Sequence, residues 1–218
     1  MAVPHPAGQS RRALRRDALE NREKILTVAA ELIAQRGLNV PLADIAAAAG
    51  VGVGTFYRGY PDRTALLHAL ELRAYGMLIA VLDRIEESGQ AGADAVETYL
   101  NEAVNIRDQL VLPLSHGTPP FVDQAAVAAR ARIDAALERL LAGGRADGTV
   151  KADINATDII ICGAMITGPL PIGSSWSGLA RRHISTFVRG IRAPADQPLP
   201  GPAVTPADTE AMYRAGAQ

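Results

Sequence analysis

The residue types that could carry chemistry gather in one short stretch, residues 42–67, LADIAAAAGVGVGTFYRGYPDRTALL. Glycine permits close approach of a sugar–phosphate backbone, hydroxyl groups donate to phosphate oxygens, and arginine reaches a phosphate or a base edge. The stretch therefore predicts a contact with nucleic acid. The residues expected to make it are Gly52, Val53, Gly54, Thr55, Tyr57, Arg58, Tyr60 and Arg63.

The same residues also allow interpretations other than contact with nucleic acid. The glycines could form a nucleotide-binding loop, but no predicted strand precedes them and no Gly-Lys-Ser or Gly-Lys-Thr follows, as that loop requires. Tyr57 and Tyr60 could instead line the rim of a core. The arginines that precede residue 17 could keep a tail solvated or could form an arm that enters the minor groove.

Other chemistries find little support. The four histidines lack metal-ligand spacing, so no metal site is expected. Cys162 lies in an apolar run, where a buried thiol is the usual case, and a single cysteine excludes an internal disulfide in this sequence. No nucleophile triad or carboxylate pair stands out, so we predict neither an enzyme nor a cofactor.

Composition narrows the class of protein further. The chain has 218 residues, of which 48% are hydrophobic and 4% aromatic, and this favours a globular chain rich in helix. We expect no membrane span and no secretory signal, and the lone cysteine fits a reducing cytoplasm. Residues 1–70 carry a net charge of +3 against −4 for the rest, which suggests a polyanionic partner for one end. The overall charge of −1 argues against a non-specific architectural DNA-binding protein.

Hydrophobic periodicity predicts an all-α chain. A first helix begins between Asp17 and Asn21 and ends at Gly37. Helices at 42–49 and 53–59 flank a tight turn, and Asp62 caps a long helix at 63–87. Further helices are predicted at 93–112, 122–142, 155–167 and 177–192, with Gly143 and Gly144 breaking the chain after the second of these.

The two short helices have the spacing of a helix-turn-helix, with Ile45 and Ala46 packed inward and Val51 as a buried plug. At these positions the sequence resembles the TetR family of bacterial transcriptional regulators over residues 18–75. The matching pattern runs Ile45-Ala46-x-x-Ala49-Gly50-Val51-x-x-Gly54-Thr55-x-Tyr57-x-x-Tyr60-Pro61-x-Arg63-x-x-Leu66-Leu67. Two departures remove cap hydroxyls, because Pro41 and Gly52 stand where the family has Thr or Ser.

The resemblance implies an N-terminal three-helix DNA-binding unit joined to a larger helical ligand-binding and dimerisation domain. We expect a basic flexible arm at 1–16, the DNA-binding domain at 17–75, the second domain at 76–192 and a flexible Pro-rich tail at 193–218. The last two helices of the second domain would pair with those of a second subunit. Candidate ligand contacts are Tyr99, Asn105, His116, Phe121 and Trp176.

The function implied is that of a cytoplasmic homodimer that binds a palindromic double-stranded operator and is released from it by a small-molecule effector. Repression is favoured, because an occupied operator blocks a promoter. A transcriptional activator of the same family and a helical enzyme with a vestigial helix-turn-helix remain as alternatives.

Overall fold

The computed structural model describes residues 7–168, 176–193 and 199–216, with side chains from residue 16 onward. Within these ranges the chain is helical, and its β-structure is one isolated antiparallel bridge between Val150 and Arg192. The α-helices are α1 (Ala7–Arg36), α2 (Leu42–Ala49), α3 (Val53–Gly59), α4 (Arg63–Glu87), α5 (Gly92–Asn105), α6 (Gln124–Ala146), α7 (Ala156–Thr167), α8 (Trp176–Ile191) and α9 (Pro206–Gly216). Two short 3-10 helices, Arg107–Gln109 and Leu114–His116, lie between α5 and α6. The all-α prediction is confirmed.

The chain divides into two compact units, Met1–Leu70 (unit 1) and Glu71–Gln218 (unit 2). The division falls inside α4, so this helix contributes residues to both units. The domain boundary predicted from the sequence lies slightly later, after residue 75.

Helix α4 is long and apolar enough to cross a membrane, by length and composition alone. Half of its most apolar stretch is buried inside the structure. A core helix of a globular domain meets the same criterion of length and composition, and it is expected to be buried in this way.

Unit 1 is built on the apolar stripes of its helices. Its buried side chains are Ile25, Leu26, Ala29, Ala30, Ile33, Val40, Ile45, Ala46, Ala49, Phe56, Tyr60, Leu66, Ala69 and Leu70. Gly50 ends α2 with a φ of 66°, a left-handed conformation that favours glycine. The N–H of Val51 then donates to the carbonyl of Ala46 at 3.1 Å, which fixes the turn into α3.

Helix α1 starts earlier than the sequence analysis expected. It begins at Ala7 rather than between Asp17 and Asn21. Alanine, leucine, glutamine and arginine dominate the added turns, and these residues have high intrinsic helix propensity. Arg16 also pairs with Glu20, one turn along, at 3.5 Å. The prediction of an arm at 1–16 thus fails for 7–16, while 1–6 lie outside the described residues.

Unit 2 buries a larger core formed by α4 to α8. Its most completely buried large side chains are Leu82, Leu100, Leu137, Leu141, Ile159, Ile184 and Ile191. Trp176, at the start of α8, is buried and donates its indole N–H to the carbonyl of Ile166 at 2.8 Å. Each such large apolar side chain stabilises the fold by about 1.5–3 kcal/mol relative to exposure.

The glycine pair in α6 does not break the helix, which continues to Ala146. A Cβ atom on Gly144 would lie 2.5 Å from the Val150 side chain and 2.6 Å from the Cα of Gly92. The absence of a side chain therefore lets α6 contact the start of α5 closely. Glycine serves packing here, so the predicted end at residue 142 is corrected.

The Pro-rich tail is also corrected, because residues 206–216 form α9. Thr205 caps this helix: its Oγ1 accepts from the N–H of Asp208 at 3.3 Å, while its own N–H donates to the Asp208 carboxylate at 2.9 Å. Pro206 occupies the first helical position, where its missing N–H costs nothing. Residues 194–198 and 217–218 lie outside the described part of the chain.

Candidate functional site

Helix α3 is the most exposed helix of unit 1 and carries most of the predicted nucleic-acid contacts. Val53 is 56% exposed and Tyr57 41% exposed, although both have large apolar surfaces that usually favour burial. Thr55 and Arg58 are also exposed, and the Arg58 Nη2 donates to the Thr55 Oγ1 at 3.0 Å. The hydrogen bond joins these two side chains on one face of α3, where both can meet a partner.

Phe56 holds α3 against the rest of unit 1. Its ring is fully buried, and its centroid lies 5.7 Å from that of Tyr57 and 5.6 Å from that of Tyr60. Ile45 and Ala46 are fully buried as predicted, whereas Val51 is only half-buried. Phe56, rather than Val51, therefore fills the centre of the helix-turn-helix.

Tyr60 belongs to the core and not to the exposed face. The residue is 5% exposed and its hydroxyl is buried. Burial raises the pKa of this hydroxyl, against the opposing effect of the nearby Arg22. The expectation that Tyr60 donates to a phosphate is therefore corrected, because the hydroxyl is not accessible.

Arg63 is likewise committed to the fold. Its guanidinium donates Nη1 to the carbonyl of Leu38 and Nη2 to that of Val40, the second at 2.8 Å. These bonds tie the start of α4 to the segment between α1 and α2. The predicted phosphate contact is corrected to a structural role for Arg63.

The starts of the three helices differ in their capping. Neither Pro41 before α2 nor Gly52 before α3 makes a side-chain cap, as their departure from the family pattern predicted. The Asp62 carboxylate, by contrast, accepts from the N–H of Ala65 at 2.8 Å, as predicted for the start of α4. Of the hydroxyl groups predicted to contact phosphate, those of Thr55 and Tyr57 on α3 thus remain as candidates.

Unit 2 contains a cavity, whose void including the solvent at its mouth is about 820 Å³. Most of its wall is apolar, and helices α4 to α7 and α9 all contribute. The lining comprises Tyr75, Leu78, Tyr99, Ala103, Leu110, Leu112, Pro113, Leu114, Arg130, Ile133, Asp134, Thr157, Ile160, Ile161, Gly163, Ala164, Thr167, Thr209, Glu210 and Tyr213. A concave apolar site with few polar groups is the usual form of a small-molecule pocket.

Arg130 is the centre of a buried polar network at this cavity. Its Nε and Nη2 donate to both oxygens of Glu210 at 2.5 and 2.9 Å, and its Nη1 donates to the carbonyl of Phe121 at 2.9 Å. Glu71, which is fully buried, lies 3.6 Å away and accepts from the Tyr75 hydroxyl at 2.6 Å. Burial alone would lower the pKa of Arg130, but the bonds to Glu210 and Tyr75 outweigh it and raise that pKa.

Helix α9 closes part of the cavity wall. Besides Glu210 it supplies Thr209 and Tyr213, and the Arg130 guanidinium lies 5.4 Å from the centroid of the Tyr213 ring. The bidentate ion pair and the ring contact together fix α9 to α6.

The five predicted ligand contacts fare unequally. Tyr99 is buried and lines the cavity. Asn105 is exposed and accepts from Arg181, while the His116 Nδ1 lies 2.9 Å from the carbonyl of Leu112 outside the lining. The backbone of Phe121 contacts the network, since its carbonyl accepts from Arg130 and its N–H donates to Glu71, but Phe121 is not part of the lining. Trp176 is a core residue. The structure thus brings one of the five to the cavity.

The polar residues that do line the cavity were not predicted from the sequence, although their positions along the helices indicate them. Arg130 lies on α6 in register with the buried Ala126, Ile133 and Leu137, at spacings of four, three and four residues. A charged residue in an apolar register is buried only when it is paired. Glu71 likewise lies in an apolar register on α4, four residues before the buried Tyr75.

Cys162 in α7 is a free thiol that is expected to be unreactive. The thiol is buried, and burial raises its pKa to about 11. Within the described ranges no group of three or more His, Cys, Asp or Glu side chains is arranged to hold a metal ion.

Unit 1 is similar to a known family of DNA-binding regulators. Residues 25–70 match the family described as bacterial regulatory proteins, tetR family. An HTH-type transcriptional regulator of Staphylococcus aureus is 28% identical over 89 residues, which is 40% of this chain and 48% of that protein. The chain thus spans about half the length of the curated relatives it matches.

Solved structures extend the likeness beyond unit 1. A TetR transcription regulatory protein from Mycobacterium vanbaalenii is 28% identical with a TM-score of 0.59, covering 83% of this chain and 99% of that one. A TetR transcriptional regulator from Streptomyces coelicolor is 26% identical with a TM-score of 0.54, covering 80% and 99%. A gamma-butyrolactone receptor at 17% identity and a TM-score of 0.60, covering 92% and 96%, shows the fold alone. With the helix-turn-helix of unit 1, these likenesses show that residues 25–70 match the tetR family and that about four-fifths of the chain shares the fold of solved TetR regulators.

Proposed function

We propose that this protein is a sequence-specific DNA-binding repressor whose affinity for its operator is set by a small molecule bound in the cavity of unit 2. The observation that carries the proposal is the exposure of Val53, Tyr57 and Arg58 on a helix anchored by buried Phe56. A short, well-packed helix with large exposed side chains suits insertion into the major groove of DNA. There Arg58 can reach a base edge and Tyr57 can reach a phosphate.

A homodimer suits this function, because two copies of α3 can fit successive major grooves about 34–36 Å apart. Support comes from exposed apolar side chains on the last two helices of the predicted second domain. Ile161 and Met165 on α7 are 42% and 65% exposed, and Leu179 on α8 is 38% exposed. Ile159 and Val188 on the same two helices are buried inside unit 2 and do not contribute to this surface.

Release by an effector follows from a population shift. A ligand that binds one conformation of unit 2 better draws the protein toward that conformation. Helix α4 is the path for the effect, since it contributes Leu78 to the cavity wall and its first turns to unit 1. A coupling of about 1–3 kcal/mol would weaken operator binding some 5- to 150-fold. The site of action would be the cytoplasm.

The test is a fluorescence-anisotropy titration of the protein against palindromic duplexes from its own upstream region, with scrambled competitor, at two salt concentrations. Arg58→Ala should weaken specific binding by about 1–3 kcal/mol if Arg58 contacts a base. Arg84→Ala, which removes an exposed arginine of α4 outside the helix-turn-helix, is the control and should leave binding unchanged.

Binding that scrambled DNA matches and that salt abolishes would contradict the proposal. The same holds if Arg58→Ala and Arg84→Ala behave alike. Either result would favour the alternative of a helical protein that retains the helix-turn-helix without using it. Promoter activity with and without the bound protein separates repression from activation.

A further inference from the structure

The charges that line the cavity of unit 2 do not balance. Arg130 supplies one positive charge, and Asp134 and Glu210 supply two negative charges. Glu210 occupies the guanidinium fork with both carboxylate oxygens, at 2.5 and 2.9 Å. Among the residues that the structure describes, Asp134 has no cation within salt-bridge distance. One carboxylate on the cavity wall is therefore left without a counter-ion.

Asp134 is only half-buried, so it remains accessible from the cavity. Burial and the charge of Glu210 raise the pKa of its carboxyl to about 6, while Arg130 opposes them and Glu138 adds to them. At neutral pH the group is therefore mostly ionised at a position that disfavours the charge. A cation beside it would remove that penalty.

The walls around Asp134 suit a cation with an apolar body. Tyr75, Tyr99 and Tyr213 line the cavity. Burial raises the pKa of the Tyr99 and Tyr213 hydroxyls, and the nearby charge of Asp134 adds to the increase in both. Tyrosine ring faces attract cations. The remaining wall is mainly leucine, isoleucine and alanine, which would bury hydrocarbon.

A second polar group on the wall also points to a ligand. Thr157 is 6% exposed, and its buried hydroxyl has no hydrogen-bond partner within the described part of the chain. Buried polar groups are rarely left unsatisfied, because the lost hydration is not repaid. Thr157 therefore offers a position for a polar ligand atom such as an ammonium N–H.

We propose that the cavity binds an apolar organic cation, with Asp134 as its counter-ion and Thr157 as a hydrogen-bond partner. The inference rests on the proposed function only in taking this cavity as the effector site. An anion would face Asp134 and Glu210 and could reach Arg130 only by displacing α9. A neutral ligand would leave the Asp134 charge unpaired.

The experiment uses two pairs of probes matched in shape. Benzyltrimethylammonium is compared with neopentylbenzene, its neutral isostere, and tetraphenylphosphonium with tetraphenylborate, which has the opposite charge. Binding to the DNA-free full chain is followed by calorimetry and by the fluorescence of Trp176, the one tryptophan in the chain. We expect the cation of at least one pair to bind about tenfold more tightly than its partner, as one sheltered charge contact allows.

Variants assign the preference to Asp134. Asp134→Asn should abolish the preference for the cation while neopentylbenzene binds as before, and Thr157→Val should weaken a benzylammonium probe that can donate a hydrogen bond. Glu87→Gln, which removes an exposed carboxylate outside the lining, should leave all affinities unchanged.

Equal affinity within both probe pairs, no binding of either cation, or an unchanged preference in Asp134→Asn would overturn the inference. None of these outcomes involves DNA. Operator binding in the anisotropy titration can therefore succeed where this inference fails, and the reverse also holds.

Discussion

The face of α3 and the cavity of unit 2 are built in opposite ways. The exposed residues of α3 lie within a single heptapeptide, and one buried side chain, Phe56, holds them in place. The cavity draws its lining from α4, α5, α6, α7 and α9, so residues as far apart in the sequence as 75 and 213 line the same void. A local motif suffices for the first site, whereas the second exists only when five helices have packed. Disrupting each site at its own centre tests this difference.

The largest effect is expected for Phe56→Ala in unit 1. Loss of a fully buried ring leaves a cavity and should cost about 3–5 kcal/mol. Because one core holds the whole surface, DNA binding should be lost with it. Hydrogen–deuterium exchange should rise in peptides from residues 25–70. Val53→Ala, which truncates an exposed neighbour, should leave that exchange unchanged; equal effects of the two variants would contradict the anchoring role.

Removal of the charge at the centre of unit 2, in Arg130→Met, should cost a similar 3–5 kcal/mol, because Glu210 would lose its ion-pair partner and the buried Glu71 would lose a positive charge 3.6 Å away. Denaturant unfolding followed by Trp176 fluorescence measures this. The double variant with Glu210→Gln should recover part of the loss. If the single variant unfolds like the wild type, the network does not organise this site.

A smaller effect should follow from Gly144→Ala, since a Cβ there would lie 2.6 Å from the Gly92 backbone. Overpacking of this kind costs about 1–3 kcal/mol. Gly190→Ala on α8, where a Cβ would meet nothing within 4 Å, is the matched control and should be neutral or gain about 0.5–1 kcal/mol. Two thermal melts decide the point, and equal melting temperatures would refute the close contact of α6 with α5.

The smallest effect is a pH dependence specific to unit 2. The pKa of Asp134 is about 6 in the folded protein, above the ordinary value of 3.8. Between these values the folded state binds more protons than the unfolded state, so this group makes stability fall as pH rises from about 4 to about 6. Asp134→Asn should remove that slope and be the more stable form above pH 6. Denaturant midpoints at pH 4 and pH 7 measure it, with Glu138, Glu210 and Arg130 as the other charges facing the site.

Unit 1 was largely predictable from the sequence, because its signals are local. Gly50, the apolar spacing of α2 and the cap at Asp62 each act within one turn of helix. The predicted nucleic-acid contacts of Tyr60 and Arg63 were wrong, because proximity to a motif does not show whether a polar group is exposed. Their burial depends on α1 and on the carbonyls of Leu38 and Val40, which lie more than twenty residues away.

The cavity was mostly unreadable from the sequence, and one of five predicted contacts lines it. Aromatic and polar type alone does not say which side of a helix faces a void. Two features of the sequence do carry information. The register of Arg130 in α6 predicts that it is buried, and Thr205-Pro206-Ala207-Asp208 has the pattern of a helix start. The prolines outweighed that pattern in the prediction of a tail.

By itself the sequence determined the all-α class, the helix-turn-helix and the resemblance to the TetR family, because helical periodicity, caps and a glycine turn act between neighbours along the chain. Only the tertiary structure decided that α9 forms part of the cavity wall, that Glu210 pairs with the Arg130 guanidinium and that Asp134 has no counter-ion. Those facts depend on which side chains meet across helices more than fifty residues apart. Burial and the pairing of charges are properties of that meeting, and no short stretch of residues contains them.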